Sequence, residues 1–488
     1  MKVTLKARTI TAVMLVATLA GCNMAPRYIR PAGAVPAALP EGGTYPEVPV
    51  DSREIAGIGW REFFVDERLR SVIALGLENN RDLRVAAANV ARLRAQYRVQ
   101  RADLFPTVDA TARATYANSQ GLAARSGTGT GAEASGGTTE IYRADIGVSA
   151  FEIDLWGKIR NLNEAALQTY FASEEAQKAT QISLVAEIAT TWLTLAADRD
   201  MLAIARDTLE SYGRTRELTE AQFRIGTVSE LEVRQADTNY QAARNDVAAL
   251  EAQVAQDRNA LDLLAGTPVS DDLLPSGLGE GDATLSDLPA GVDSAVLLQR
   301  PDVLEAEHLL MAENANIGAA RAALFPTISL TASFGTISSG LSGLFKSGTD
   351  AWSVSPEATV PIFNFGRGSA NLAAVKAGQK AALATYEKTL QTAFREVADA
   401  LATRGTIDER LSALSARAES ASVAARLSDA RYKAGIDSFL TLLDSQRTAY
   451  AARMEITNGR LNRAANLVTI YRVFGGGMES GSVPPASK

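Results

Sequence analysis

The sequence predicts a mainly α-helical chain with transmembrane β-strands, built as a tandem repeat. Three observations carry this: a block that returns 220 residues later, a change of period after a proline in both copies, and helix-length runs without proline. Leu104-Phe105-Pro106-Thr107 recurs as Leu324-Phe325-Pro326-Thr327, an offset of 324 − 104 = 220, and Asp82 and Asp302 keep it. Downstream, Trp156-Gly157-Lys158 answers to Phe365-Gly366-Arg367, and Phe223-Arg224-Ile225-Gly226 to Tyr432-Lys433-Ala434-Gly435, both at an offset of 209. A long unit repeated once means that each half builds the same object. The drop from 220 to 209 falls between the Pro and Gly landmarks, where loops absorb length change.

The amino terminus reads as a secretory signal over residues 1–21, with basic Lys2, Lys6 and Arg8 and an apolar run from Ile10 to Leu19. It ends in Leu19-Ala20-Gly21-Cys22, and Cys22 is the only cysteine in the chain. This resembles a bacterial lipobox, in which Cys22 carries an acyl chain such as palmitate and anchors the mature protein without a spanning helix. Asn23 in place of Asp after the cysteine resembles the sorting signal for the outer membrane. Residues 22–65 then read as a lipidated tether rich in Pro, Gly and Ala.

Repeat 1 is expected over residues 66–265, with helical pattern beginning near Asp66 and the first helix ending before Pro106. Val108, Ala110, Ala112, Ala114 and Tyr116 then alternate with Asp109, Thr111, Arg113 and Thr115. After a Gly/Ser-rich stretch, alternation resumes at Tyr142, Ala144, Ile146 and Val148, giving a hairpin over about 107–156. A long helix is expected over about 158–223, with a single glycine, Gly213, near its end, and a return helix over about 229–264. Ile188, Leu195, Leu202 and Leu209 recur every seven residues, a coiled-coil habit. A linker at 266–293 precedes repeat 2 at 294–475, with a hairpin over about 327–364, a long helix over about 367–433 and a return helix over about 438–472. Residues 476–488 read as a flexible tail.

Ten-residue strands with one apolar and one polar face are the pattern of a membrane barrel. Four strands cannot close one, so several copies must share it, and twelve strands from three copies is the simplest closure. Without the signal the charge is 46 − 56 = −10, counting Lys and Arg against Asp and Glu, which argues against nucleic acid as a partner. His308 is the only histidine, so neither a metal cluster nor a catalytic triad can be assembled, and no enzyme is expected. No cofactor is implied beyond the lipid on Cys22.

Several stretches carry a family resemblance: the lipobox, Trp60-Arg61-Glu62-Phe63-Phe64, Leu298-Gln299-Arg300-Pro301-Asp302-Val303, and Ala312 to Arg321 running into Leu324-Phe325-Pro326. The two helix turns, Arg224 to Ser229 and Tyr432 to Ser438, complete it. The chain resembles the trimeric outer-membrane efflux channels of the TolC/OprM type, in their lipoprotein branch. The resemblance implies a homotrimer whose twelve-stranded β-barrel continues as a twelve-helix α-barrel across the periplasm. It further implies a passive duct serving a periplasmic adaptor and a proton-driven inner-membrane transporter, in a multidrug-resistance setting. By the same resemblance, Arg224, Gly226, Thr227, Val228 and Ser229, with Lys433, Gly435, Ile436, Asp437 and Ser438, form adaptor-contact tips. Asp429 and Arg431 fall where the family holds a periplasmic gate. Two rivals stay open: the exit channel of a type I protein secretion system, and a lipid-anchored coiled-coil scaffold with no pore.

Overall fold

A computed structural model describes residues 23–36, 38–45, 58–118, 138–279, 284 and 294–476. The signal, Cys22, the Gly/Ser-rich tip of the first hairpin and most of the tail lie outside the described residues.

In chain order the named elements are α1 (Trp60–Phe63), α2 (Glu67–Asn79), α3 (Arg81–Ala102), β1 (Val108–Asn118), β2 (Thr138–Glu152), α4 (Lys158–Arg224) and α5 (Glu230–Ala265). They continue as α6 (Pro301–Ala322), β3 (Thr327–Ser338), β4 (Asp350–Thr359), α7 (Arg367–Lys433) and α8 (Phe439–Val473). Helices α4 and α7 both have 67 residues and begin 367 − 158 = 209 positions apart. Helices α3 and α6 both have 22 and begin 301 − 81 = 220 apart. No described helix is long and apolar enough to cross a membrane.

Compactness does not follow the repeat. One unit comprises Met1–Arg30, Arg92–Phe171 and Glu307–Ala384; the other comprises Pro31–Ala91, Ala172–Ala306 and Thr385–Lys488. Each therefore draws on both halves of the sequence.

The first unit holds an antiparallel sheet in the order β1-β2-β3-β4, so the two hairpins are joined through β2 and β3. A bulge between Val148 and Phe151 shifts the β2–β3 register. There Ala150 adopts φ 52° and its N–H donates to Thr331 Oγ1 at 3.1 Å. The fourth strand is shorter than the alternation of Trp352, Val354, Ala358, Val360 and Ile362 on even positions suggests. It stops at Thr359, opposite Thr327 where β3 begins, and Val360 and Ile362 lie beyond it.

The second unit is built around a conventional core. Asp66 caps α2 by accepting from the N–H groups of Arg68 and Leu69. That helix ends at Asn79, a break the periodicity did not reveal. Asn80 makes the corner: its Oδ1 accepts from Leu83 N at 3.0 Å, while its Nδ2 donates to Leu264 O at 2.9 Å. Gly266, at φ 71°, lies so near that a Cβ there would stand 2.4 Å from Asn79 O. Ile58, Trp60, Phe63 and Phe64, in a segment that composition assigned to the tether, are instead core, with Phe63 and Phe64 fully buried. Phe63 stacks on Tyr471 at 4.3 Å, and Trp192 donates to Leu273 O at 3.1 Å. Around them pack Leu69, Ile73, Ile188, Leu195 and Leu261. Three large aromatics left exposed in a tether would forgo the burial that this core gives them.

Arg300 ties this unit together. Its guanidinium is buried and reaches Asp302 at 2.7 Å and Glu396 at 2.9 Å, and it donates to Val473 O at 2.9 Å. The Arg300-Pro301-Asp302 motif thus serves packing.

Candidate functional site

Two regions carry the residues that the sequence singles out: the sheet and the helical turns. Across the sheet, register sets Ala110 opposite Ile146, Ile146 opposite Phe334, and Phe334 opposite Trp352. Strand pleating puts all four on one face. The next row on that face is Val108, Val148, Ala332 and Val354. These apolar side chains are uncovered: Ile146 is 59% exposed, Phe334 67% and Trp352 74%. The opposite face is polar and hydrogen-bonded across strands. Thr111 donates to Asp145 at 3.1 Å, Arg143 to Asp145 at 3.0 Å and to Ser333 at 2.9 Å, and Ser333 meets Ser353 at 2.9 Å. A soluble sheet buries its apolar face. One that leaves it bare while knitting together the polar face suits a wall with lipid outside and water inside. Among the described residues the outer strands β1 and β4 each have one partner, so the sheet is open at both edges.

In the second unit, both turns close by the same device. At the first, Gly226 takes φ 80°, Gly226 N donates to Phe223 O and Thr227 N to Gln222 O. At the second, Gly435 takes φ 71°, Gly435 N donates to Tyr432 O and Ile436 N to Arg431 O. This is the Schellman pattern, which needs a residue without Cβ strain at the left-handed position. Ser229 and Ser438 then cap α5 and α8. Arg224, Thr227 and Ser229 are exposed and Val228 is half-buried. Ile225 and Leu231 on one turn, and Ile436 and Leu440 on the other, stand well out into solvent.

The gate candidates do not act on one another. Asp429 pairs with Lys433 at 2.7 Å along α7. Arg431 instead grips Asp437 across the turn through two hydrogen bonds of 2.8 and 2.9 Å. The Arg431 guanidinium holds the Asp437 carboxyl below the usual carboxylate range. Glu220, the counterpart of Asp429 in the first repeat, pairs with Arg216 at 2.9 Å. The two turns are linked by Tyr432, whose hydroxyl donates to Gln222 Oε1 at 2.9 Å. Above them lies a groove of about 450 Å³ lined by Tyr212, Thr215, Ser422, Asp429, Tyr432 and Gln446 among others. Burial pushes the Tyr212 hydroxyl up to about 12.

One titratable pair escaped the sequence reading. Asp198 on α4 and Asp257 on α5 are each 7% exposed. Burial first, then the neighbouring Asp257 carboxyl, raise the Asp198 carboxyl to about 7. Gln253 also donates to Asp257 at 2.9 Å. Two acidic residues 59 positions apart leave no local signal of their meeting.

A sheet bare on its apolar face and polar on the other is that of a protein crossing a membrane on β-strands. Comparison with known proteins agrees. The outer membrane efflux protein family matches residues 72–267 and 293–476. The probable efflux pump outer membrane protein TtgC of Pseudomonas putida is 42% identical over 461 residues, covering 94% of this chain and 93% of that one. A membrane protein from Pseudomonas aeruginosa superposes with a TM-score of 0.85 at 38% identity, over 95% of this chain and all of that one. The open state of the Neisseria gonorrhoeae MtrE outer membrane channel gives 0.81 at 36%, over 93% and 98%. The chain belongs to the outer membrane efflux protein family. Membership places it in the outer membrane, among channels rather than enzymes.

Proposed function

We propose that this chain is the exit duct of a tripartite efflux pump, passing small molecules from a periplasmic adaptor and an inner-membrane transporter to the outside. The observation that carries this is the four-stranded sheet with an uncovered apolar face and two open edges. Such a sheet is finished by copies of itself, and three copies closing edge to edge give twelve strands. The tube performs no chemistry; the inner-membrane partner, of the proton-driven kind, supplies the energy. Relatives named as efflux pump components favour small-molecule efflux over protein secretion.

The exposed turns at Gly226 and Gly435 present Ile225, Leu231, Ile436 and Leu440 as docking points for the adaptor. Asp429 lines the constriction at that end, with Arg431 bracing the turn beside it. Cys22 carries the lipid. Native mass spectrometry of the purified protein should give a trimer, and planar bilayers should show ion current. A monomer without current would leave only the anchored scaffold. Deleting the gene should raise sensitivity to a panel of hydrophobic compounds; an unchanged panel with altered protein export would favour secretion.

A further inference from the structure

Within the first unit, the segment that follows Cys22 lies along α6 and touches it at regular intervals. Arg321 Nη1 donates to Met24 O at 3.1 Å, and Asn314 Nδ2 to Pro26 O at 2.7 Å. Glu307 then accepts Tyr28 Oη at 2.9 Å and takes Arg30 in a two-pronged pair of 2.7 and 2.6 Å. Glu307, Asn314 and Arg321 are spaced by seven, so they form one stripe along the helix. Gly318 sits within that stripe, where a Cβ would stand 2.8 Å from Ala25 Cα and 2.6 Å from Asn161 Nδ2. The glycine therefore lets the segment approach the helix backbone. At its start, Asn23 Oδ1 accepts from Asn161 Nδ2 at 2.8 Å. Asn161 lies just past Gly157, where the chain leaves β2 for α4, and its N–H donates to Gly157 O.

We infer that Glu307, Asn314, Gly318 and Arg321 form a docking track for the strap at residues 23–30, which fixes the residue after Cys22 beside the strand-to-helix junction. The chemistry is specific. Two carbonyls are read by an amide and a guanidinium, and an arginine and a tyrosine by a carboxylate whose side chain is only 4% exposed. A bidentate Arg–carboxylate pair gives geometry as well as energy. The consequence rests on lipidation of Cys22. The acyl chain would then enter the membrane at a height set by the protein, level with the ends of the strands. The track positions the strap, and the lipid does not.

Trypsin cleavage after Arg27 or Arg30, followed by mass spectrometry, tests this in the purified full-length protein in detergent. A docked strap resists, because a protease needs several residues of free extended chain. The Glu307→Ala, Arg321→Ala double variant should be cut about tenfold faster or more, since losing ~1.4 kcal/mol of local stability raises the open population tenfold. Cleavage elsewhere should be unchanged, which shows that the variant folds. Exchanging the charges, Glu307→Arg with Arg30→Glu, should restore resistance at Arg27. A Cys22→Ala protein exported by a non-lipoprotein signal should resist as well as the native one. The track is refuted if that protein is cut as fast as the double variant, or if the double variant resists. The acyl mass is read on the amino-terminal peptide of the native protein. A resistant strap without that mass would remove the lipid and leave the track standing.

Discussion

The two compact units solve the burial problem in opposite ways. The second encloses Phe63, Phe64, Leu69, Ile73 and Ile188 completely within one chain. The first leaves Phe334, Trp352 and Ile146 bare on a sheet with two open edges. Both use aromatic and branched side chains, so composition does not separate them. Solvent does: a core answers to water, and a bare apolar face answers to lipid. The difference teaches that the second unit buries its apolar side chains within the chain, whereas the proposed duct would cover those of the first only with lipid and further copies. Substitutions in the two places should therefore fail in different assays.

The largest effect is expected at Phe63. It is fully buried and contacts Phe64 and Tyr471 at 4.8 and 4.3 Å. Phe63→Ala removes a ring from a packed site and should cost about 3–5 kcal/mol. Thermal unfolding followed by circular dichroism should show a lower midpoint even in detergent, before any assembly. If the midpoint stays put while trimer yield collapses, the contrast between the units is wrong.

Next in size is Trp352, more exposed than its row neighbours Ile146 and Phe334. Trp352→Arg places a charge on the lipid face and should cost about 2–4 kcal/mol near the bilayer midplane. Because the ring covers little in the isolated chain, the helical melting transition should hardly move. Insertion into lipid vesicles, read by co-flotation, should fall instead. A variant that floats normally would mean that this face looks toward water.

Much of this contrast was legible in the sequence, and the reason is local. The mainly helical fold with alternating strands follows from period and from proline placement, and the offset of 209 is the offset between the two 67-residue helices. The turns could be read because Gly226, Gly435, Ser229 and Ser438 each act within a few residues of chain. What stayed hidden depends on distant partners. Phe63 looked like tether until Tyr471, some four hundred positions away, stacked on it. The corner at Asn80 needs Leu264 O, and the role of Arg300 needs Glu396 and Val473. None of these pairings has a sequence period. The proposed closure into a barrel is not written in one chain either, since it rests on the sheet edges left open among the described residues.

A third, smaller effect distinguishes the second unit by pH. Asp198 keeps its proton up to about pH 7 in the folded chain, whereas an unfolded aspartate releases it near ~3.9. Between those values the folded state binds more protons, so stability falls as pH rises and the loss is complete above about 7. The change should be about 1–2 kcal/mol once solvent screening is allowed for. The melting midpoint should thus drop between pH 5 and pH 8, and Asp198→Asn should flatten that slope. A native protein with a rising midpoint over this range would contradict the assignment.

The smallest stability change is expected at Asp429, and that is what makes it informative. Its pair with Lys433 is a partly exposed i,i+4 contact, worth roughly 0.3–0.5 kcal/mol. Asp429→Ala should leave the melting midpoint almost unmoved. If three copies bring this carboxylate to a shared axis, the same substitution removes a ring of charge, and resting conductance in planar bilayers should rise. On cation selectivity the two variants should act with opposite sign, Asp429→Ala lowering it and Lys433→Ala raising it. The lysine substitution strips the compensating ammonium from each Asp429, so the ring attracts cations more strongly. Equal and silent behaviour of the two variants would make the pair an ordinary solvated helix contact. Opposite shifts without a change in melting could come only from the assembled state, because within one chain the two substitutions break the same bond.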